Sequence, residues 1–317
     1  MKPDISIIIE WENYVLADMG RSFTMLEKLK RQIPQIGKPL EVIILYNPEQ
    51  IEKSFLEKEV GKILKIDNEN VSLVLRVEEA HGKHYYELKN EGVKLAEGEI
   101  IVFLDSDVIP EDGWLINISR PFFENSKIDV VAGNSYIDCE DLYSKAFALA
   151  WFFGLRLEDN KLSSESNEFY ANNVAFRKEV LTTFPFPEMP EGMTRGSCGM
   201  LSSQLEKVGI PIWTNTAAQV SHPAPNGFFH FYTRALAEGR DYFLTDRPKL
   251  WHFFRYYYLG RVRNSFINIT SDRKKVNLPL WQAPIAIAIM TTYYTLYLVG
   301  GVITALLPRY AKSSWRI

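Results

Sequence analysis

Apolar and polar positions along the first hundred residues fall into two alternating patterns. Ile5–Ile9 is an unbroken apolar run, which predicts a strand buried on both faces. Asn13–Gln32 follows, with Leu16, Met19, Phe23, Leu26, Leu29 and, just beyond, Ile33 at the three- and four-residue spacing of one helix face. The cycle then repeats: a strand over Glu41–Tyr46, a helix over Gln50–Gly61, a strand over Val71–Val77, a helix over Tyr85–Ala96 and a strand over Ile100–Leu104. Gly98 suits the C-cap of the last of these helices. Buried strands alternating with helices are the signature of a doubly wound α/β domain.

Beyond residue 107 the pattern loosens. A helix is predicted around Trp114–Asn125, a strand at Val130–Val131 leading to Gly133, and an aromatic helix over Leu142–Leu157. Tyr170–Arg177 reads as a strand-like segment, Lys178–Thr183 as the start of a helix, and Ser202–Gly209 as the close of another. Short strands follow at Ile212–Trp213 and Ala217–Val220.

From Gly227 to Ile269 aromatic residues (Phe228, Phe229, Tyr232, Trp251 and Tyr256 among them) interleave with arginines, a composition suited to helices in a membrane interface, the alternative being a helical subdomain packed on the sheet. No charged residue occurs from Val276 to Pro308. Pro284–Leu307 would extend about 36 Å as a helix, enough to cross a hydrocarbon core of roughly 30 Å. A membrane-spanning or deeply embedded segment is therefore expected, the alternative being a buried core helix or a re-entrant segment. Arg273, Lys274 and Lys275 precede it and Arg309, Lys312 and Arg316 follow; with Arg255, Arg261 and Arg263 upstream, they favour a cytoplasmic location for the large N-terminal part. The N-terminus enters a strand almost at once, so no signal peptide is expected.

Composition narrows the function classes. The formal net charge of −3 argues against a nucleic-acid binder, which would carry a basic stripe. The two cysteines, Cys139 and Cys198, supply neither a disulfide framework nor a zinc cluster.

The chemistry gathers at the end of the Ile100–Leu104 strand, where Asp105 and Asp107 are separated by Ser106. At the carboxyl end of a parallel strand such a pair faces the crevice where α/β sheets bind ligands. Two hard oxygen donors held close suit Mg2+ or Mn2+, which in turn can bridge a diphosphate. A metal–nucleotide site is the first expectation.

Further motifs accompany the pair in order: Lys89-Asn90-x-Gly92 with Ala96-x-Gly98 before it, then Asn173-Val-Ala-Phe-Arg177, His222-Pro223, and Arg234 with Gly239-Arg240 after it. From Ile5 to about Phe243 the chain thereby resembles the family 2 glycosyltransferases, especially bacterial membrane-associated members. The resemblance implies a GT-A fold, a Rossmann-like mixed sheet with helices on both faces, over residues 1–225. Residues 226–275 would form an aromatic and basic interfacial helical segment, 276–308 the membrane helix, and 309–317 a basic tail.

It also implies a nucleotide-sugar donor, a glycan or lipid-linked acceptor, contact with membrane lipid at the cytoplasmic membrane, and a part in cell-surface polysaccharide synthesis. Asp105, Asp107 and His222 would serve the metal, and Glu12, Asn13, Tyr46, Lys89, Asn90, Asp105 and Ser106 the donor. Asn173, Arg177, Ser197 and Cys198 would lie on the acceptor side, and Arg234 and Arg240 would contact phosphate.

The departures matter as much. Glu10-Trp11-Glu12-Asn13 replaces the family's Pro-Thr-Tyr-Asn, and Tyr46-Asn47-Pro48 replaces its nucleobase-reading Asp. Either Glu10 or Glu12 substitutes for that Asp, or the two only cap the following helix. Ser197-Cys198 stands where inverting members carry the Glu-Asp that deprotonates the acceptor. Glu188 and Glu191 lie just upstream, and Glu191 is the candidate replacement base. Otherwise the base comes from elsewhere, or the acceptor is acidic enough to need none, such as a phosphate, or transfer has been lost. The competing class is accordingly a non-catalytic nucleotide-sugar-binding or partner protein. A phosphatase of the Asp-x-Asp type would need Thr or Val two residues after the second Asp, and Ile109-Pro110 stands there.

Overall fold

A computed structural model of the chain describes residues 2–12, 19–65, 72–159 and 161–315. They divide into two compact units. One comprises Met1–Ser135, Arg156–Glu188 and Ser197–His222; the other comprises Tyr136–Leu155, Met189–Gly196 and Pro223–Ile317.

The first unit begins β1 (Ile5–Glu10), α1 (Met19–Ile36), β2 (Leu40–Tyr46), α2 (Lys53–Leu64), β3 (Leu73–Glu79), α3 (Tyr85–Leu95), β4 (Ile100–Asp105), β5 (Ile109–Pro110) and α4 (Trp114–Glu124). The chain continues through β6 (Val130–Ile137), α5 (Leu142–Ala150), β7 (Leu162–Ser166), β8 (Asn173–Arg177), α6 (Lys178–Thr183), α7 (Ser197–Lys207) and β9 (Ile212–His222). Nine strands among the described residues make one mixed sheet, ordered β3-β2-β1-β4-β8-β6-β9-β5, with β7 pairing β9. β1 runs parallel to both β2 and β4, whereas β8 lies antiparallel on β4.

β1, β2 and β4 are buried along their whole length. Alternate side chains of each serve opposite faces, as the two-residue period of a strand requires. Ile7, Ile9, Val42, Ile44, Val102 and Leu104 join one core with Leu26, Leu29 and Val60 of α1 and α2. Ile8, Ile43, Ile101 and Phe103 join the other with Leu88, Val93, Leu201 and Leu205 of α3 and α7. Each fully buried aliphatic side chain stabilises this three-layer arrangement by about 1.5–3 kcal/mol. A Cβ on Gly92 would come within 2.5 Å of Ile8 Cγ2, so the glycine lets α3 lie directly on β1.

The second unit is helical: α5, α8 (Gly227–Asp246), α9 (Leu250–His252), a π-helical stretch Phe253–Leu259, α10 (Gly260–Asp272), α11 (Ala283–Leu306) and α12 (Pro308–Ser313). α11 buries Ala283, Ala286, Met290, Tyr293, Tyr297, Gly300 and Thr304, a stripe at helical spacing. Its other side carries Ile285, Val299 and Leu306, exposed and uncharged. Leu280–Leu306 is long and apolar enough to cross a membrane, and 39% of its most apolar window is buried. The rest of the helix is half-buried or exposed.

Several boundaries differ from the sequence reading. α3 ends earlier than expected, its C-cap being Ala96, whose amide bonds the Gly92 carbonyl, rather than Gly98. The predicted Leu142–Leu157 helix stops at Ala150, because Trp151 turns extended and Gly154 bridges to Tyr136. The two short strands after Ile212 are one strand to His222, since the polar break at Thr214–Thr216 is bonded to the β7 edge and to the Asn117 carbonyl. The helix predicted to close over Ser202–Gly209 begins earlier, at Ser197.

Candidate active site

Parallel pairing sets the site. The β1–β4 register places Glu10 opposite Asp105 at the carboxyl ends of two central strands. Both are buried, so their charges need partners. Lys89, one turn into α3 and itself fully buried, supplies one: its Nζ donates to Asp105 Oδ1 at 2.6 Å. Its ammonium lies 4.7 Å from the Tyr85 ring centroid and 5.3 Å from that of Phe103. The Tyr85 hydroxyl donates to Asp105 Oδ2 at 2.6 Å. A solvated helix face at Lys89 is thus excluded.

Glu10 Oε2 accepts the Glu12 amide at 2.8 Å. Burial, then repulsion from Asp105, pushes the Glu10 pKa well above the usual carboxylate range. Glu12 accepts the Tyr85 amide at 2.6 Å and lies 2.8 Å from His84 Nδ1. It therefore caps the N-terminus of α3.

Past Asp105 the chain turns, and Asp107 faces the end of β9. Asp107 Oδ2 lies 3.9 Å from His222 Nε2. Ser106 Oγ is buried with no hydrogen-bond partner among the described residues. Arg21 of α1 braces the turn: its Nε donates to the Asp107 carbonyl at 2.5 Å, and its Nη2 donates to the Ser221 carbonyl and hydroxyl at 2.8 and 2.9 Å.

The other expected residues have distinct surroundings. Tyr46 is buried at the end of β2, its hydroxyl donating to Glu79 at 2.9 Å. The Asn90 amide exchanges hydrogen bonds with the Phe186 backbone at 2.8 and 3.0 Å, pinning that loop. Asn173 accepts from Trp114 Nε1 and donates to the Asn134 and Ala218 carbonyls, bracing the sheet from within. Arg177 donates to the Phe122 carbonyl. Asn13 lies outside the described residues.

At the start of α7 the Ser197 hydroxyl donates to the Pro187 carbonyl, and Cys198 Sγ lies 3.4 Å from the Tyr86 hydroxyl. Burial pushes the Cys198 thiol up, so it stays protonated at neutral pH. In the helical unit, Glu191 is exposed and accepts from Lys312 Nζ at 2.9 Å, a bond that holds its carboxyl below the usual range. Arg234 pairs with Glu238 beneath Trp151 and Phe152. Arg240 is fully buried against Asp241, Thr194 and the carbonyls of Ser314 and Trp315.

Sequence reasoning missed two participants. Tyr85 stands four residues before Lys89, so the two share a helix face; that spacing could have found it. Nothing local marks Arg21, whose partners are 86 and 200 residues away.

Among the described residues no group of three or more His, Cys, Asp or Glu side chains could hold a metal ion alone. Asp105 already accepts one hydrogen bond on each oxygen, and Asp107 and His222 face each other beside it. One carboxylate and one imidazole fit an ion that completes its shell with phosphate oxygens and water, the common arrangement at nucleotide sites. The imidazole favours a transition ion such as Mn2+ over Mg2+.

Residues 25–184 match the model described as glycosyl transferase family 2. No curated protein matches the sequence. The mannosyltransferase PcManGT from Pyrobaculum calidifontis, solved in complex with GDP-Man and Mn2+, is 15% identical with a TM-score of 0.56, over 98% of this chain and 88% of that one. S. aureus TarS in complex with UDP-GlcNAc is 12% identical with a TM-score of 0.52, over 96% and 92%. GalNAc-T7 with UDP, GalNAc and Mn2+ covers 70% of this chain and 43% of that one, at 12% identity and a TM-score of 0.50. At such identities the likeness shows a shared fold.

Proposed function

The chain belongs to glycosyl transferase family 2 and has the GT-A fold, and on that premise we propose that it moves a sugar from a nucleotide-sugar donor to a lipid-linked acceptor at a membrane. The observation that carries the donor half is the facing Asp107–His222 pair beside the locked Lys89–Asp105 pair, at the carboxyl ends of parallel strands. The PcManGT complex with GDP-Man and Mn2+ and the TarS complex with UDP-GlcNAc support it.

Asp107 and His222 would hold a divalent ion, which when bound neutralises charge developing on a departing diphosphate. Lys89 holds Asp105 in one orientation, and Glu12 holds the N-terminus of α3 beside it. Tyr46 and Glu79 stand at the ends of β2 and β3, where the nucleobase would lie.

The acceptor half follows from the start of α7. Ser197 is engaged as a donor and Cys198 keeps its proton, so neither can take one from an acceptor hydroxyl. A phosphate nucleophile is already ionised and needs no base. The apolar face of α11, the exposed Trp251 and Trp281 and the neighbouring arginines and lysines suit a long-chain lipid phosphate in a membrane, with the sheet unit on the cytoplasmic side. The same empty position favours a second reading, a nucleotide-sugar-binding protein without transfer.

Calorimetric titration of the detergent-solubilised protein with UDP, GDP and dTDP, with and without Mn2+, tests the donor site. One nucleotide is expected to bind with Mn2+ only, and Asp107→Ala to abolish that binding; an unchanged variant overturns the metal assignment. Incubating labelled nucleotide sugars with an isoprenoid phosphate tests the acceptor. Label in the lipid supports transfer to phosphate. Binding without transfer to lipid or water favours the second reading.

A further inference from the structure

We infer that Arg21 is a positioning residue that sets the separation of Asp107 and His222. The inference rests on the reading of those two side chains as metal ligands. They are carried by different segments, the turn after β4 and the end of β9, which are paired next to the site by β5. That strand has two residues, pairing Ile109 with Ser221 and Pro110 with Val220. Pro110–Val220 is the non-hydrogen-bonded pair of this antiparallel ladder, so a single registered pair, Ile109–Ser221, is left to bond within it. The nearest backbone support is the Glu111 amide donating to the Gln219 carbonyl at 3.0 Å, on the side away from the site.

Arg21 closes the other side. Its guanidinium donates to the carbonyl of Asp107 and to the carbonyl and hydroxyl of Ser221, the residue before His222. One rigid planar group thus ties the backbone of one ligand to the neighbour of the other. A fork of five N–H donors in fixed geometry can do this; the single nitrogen of lysine cannot span the same acceptors in the same directions. The anchor is firm, because Met25, Leu26 and Leu29 on the same helix are fully buried in the core beneath the sheet. Residues that orient metal ligands typically shift metal affinity by about 10–100-fold when removed.

The test is an electron paramagnetic resonance titration of Mn2+ into full-length solubilised protein, comparing the parent with Arg21→Lys, Arg21→Ala and Asp107→Asn. Both Arg21 variants are expected to weaken Mn2+ binding about tenfold. Millimolar guanidinium should restore Arg21→Ala and leave Asp107→Asn weak. A merely structural role would give no such rescue. If Arg21→Ala is poorly folded, Arg21→Lys decides alone. Parent-like affinity in the Arg21 variants beside a crippled Asp107→Asn overturns the positioning role only. Parent-like affinity in Asp107→Asn removes the metal reading, and this inference with it.

Discussion

Among the described residues, ion pairs lie out of water in both units, and Lys89–Asp105 of the sheet unit is built on a different plan from Arg240–Asp241 of the helical one. In the helical unit Arg240 spends its guanidinium on Asp241, Thr194 and two carbonyls near the C-terminus. Asp241 in turn accepts from the Thr194 and Arg195 amides. There the cations are not outnumbered, since Arg195 adds positive charge beside Arg240, and the pair is tied into the surrounding chain. In the sheet unit Lys89 faces Asp105 with Glu10 alongside, and Asp107 and Glu12 add further negative potential at Glu10. There the acids outnumber the base. A buried pair of matched charges holds a structure together, whereas a surplus of buried carboxylate is relieved by a proton, as at Glu10, or by a cation. On the proposed function, the Arg240–Asp241 pair serves folding and the Lys89–Asp105 pair the donor site.

Breaking each pair tests the assignment. Lys89→Met leaves Asp105 and Glu10 buried without their cation and is expected to cost about 3–5 kcal/mol at neutral pH. Because the Glu10 pKa is raised in the fold, its ionisation weakens the folded state as pH climbs above the ordinary carboxylate value. Lys89 opposes that shift, so the deficit of Lys89→Met should shrink as pH falls. Denaturant unfolding followed from pH 8 to 5 measures it. Arg240→Met should lose a similar amount by stranding Asp241, yet keep Mn2+-dependent nucleotide binding wherever it is folded. If binding disappears instead, Arg240 serves the phosphate, as the resemblance implied, and the division between the pairs fails.

Backbone approach offers a second contrast, with a smaller effect. A Cβ on Gly239 of α8 would fall 1.9 Å from the Tyr297 carbonyl, whereas one on Gly61 of α2 would meet nothing within 4 Å. Gly239→Ala must force α8 and α11 apart and should cost about 1–3 kcal/mol. Gly61→Ala should stabilise by up to about 1 kcal/mol, through helix propensity and a stiffer unfolded chain. Thermal midpoints of the two variants moving in the same direction would contradict the close seam.

Much of this was legible in the sequence. The strands of the parallel half were readable because burial on both faces makes them continuous apolar runs. Asp105 and Asp107 were readable because they end one of those runs. The second half was harder: β9 carries polar residues that are satisfied by a partner strand far away in sequence, so its period looks broken. Arg21 was invisible, because its role exists only once strands distant in sequence are brought together. Lys89 was nameable from its motif, but its complete burial was not, since a lysine on a helix is ordinarily solvated. The Glu12 cap on α3 went unseen for the same reason as Arg21: it links segments 73 residues apart.

The smallest effect sharpens the comparison from the helical side. Asp141 caps α5, its Oδ1 accepting the Ser144 amide at 2.7 Å and Ser144 Oγ at 2.7 Å. Those hydrogen bonds hold its carboxyl below the ordinary value of 3.8, the reverse of what burial does to Glu10. A carboxylate held down stabilises the fold above its ordinary pKa and loses that contribution as pH falls through the lowered one. Asp141→Ala should therefore cost about 1 kcal/mol at neutral pH. The deficit should fade only in strong acid, while that of Lys89→Met fades already on mild acidification. Unfolding curves of both variants from pH 8 down into strong acid would show two declines at separate pH values. A single shared decline would mean that the two acids do not occupy opposite environments.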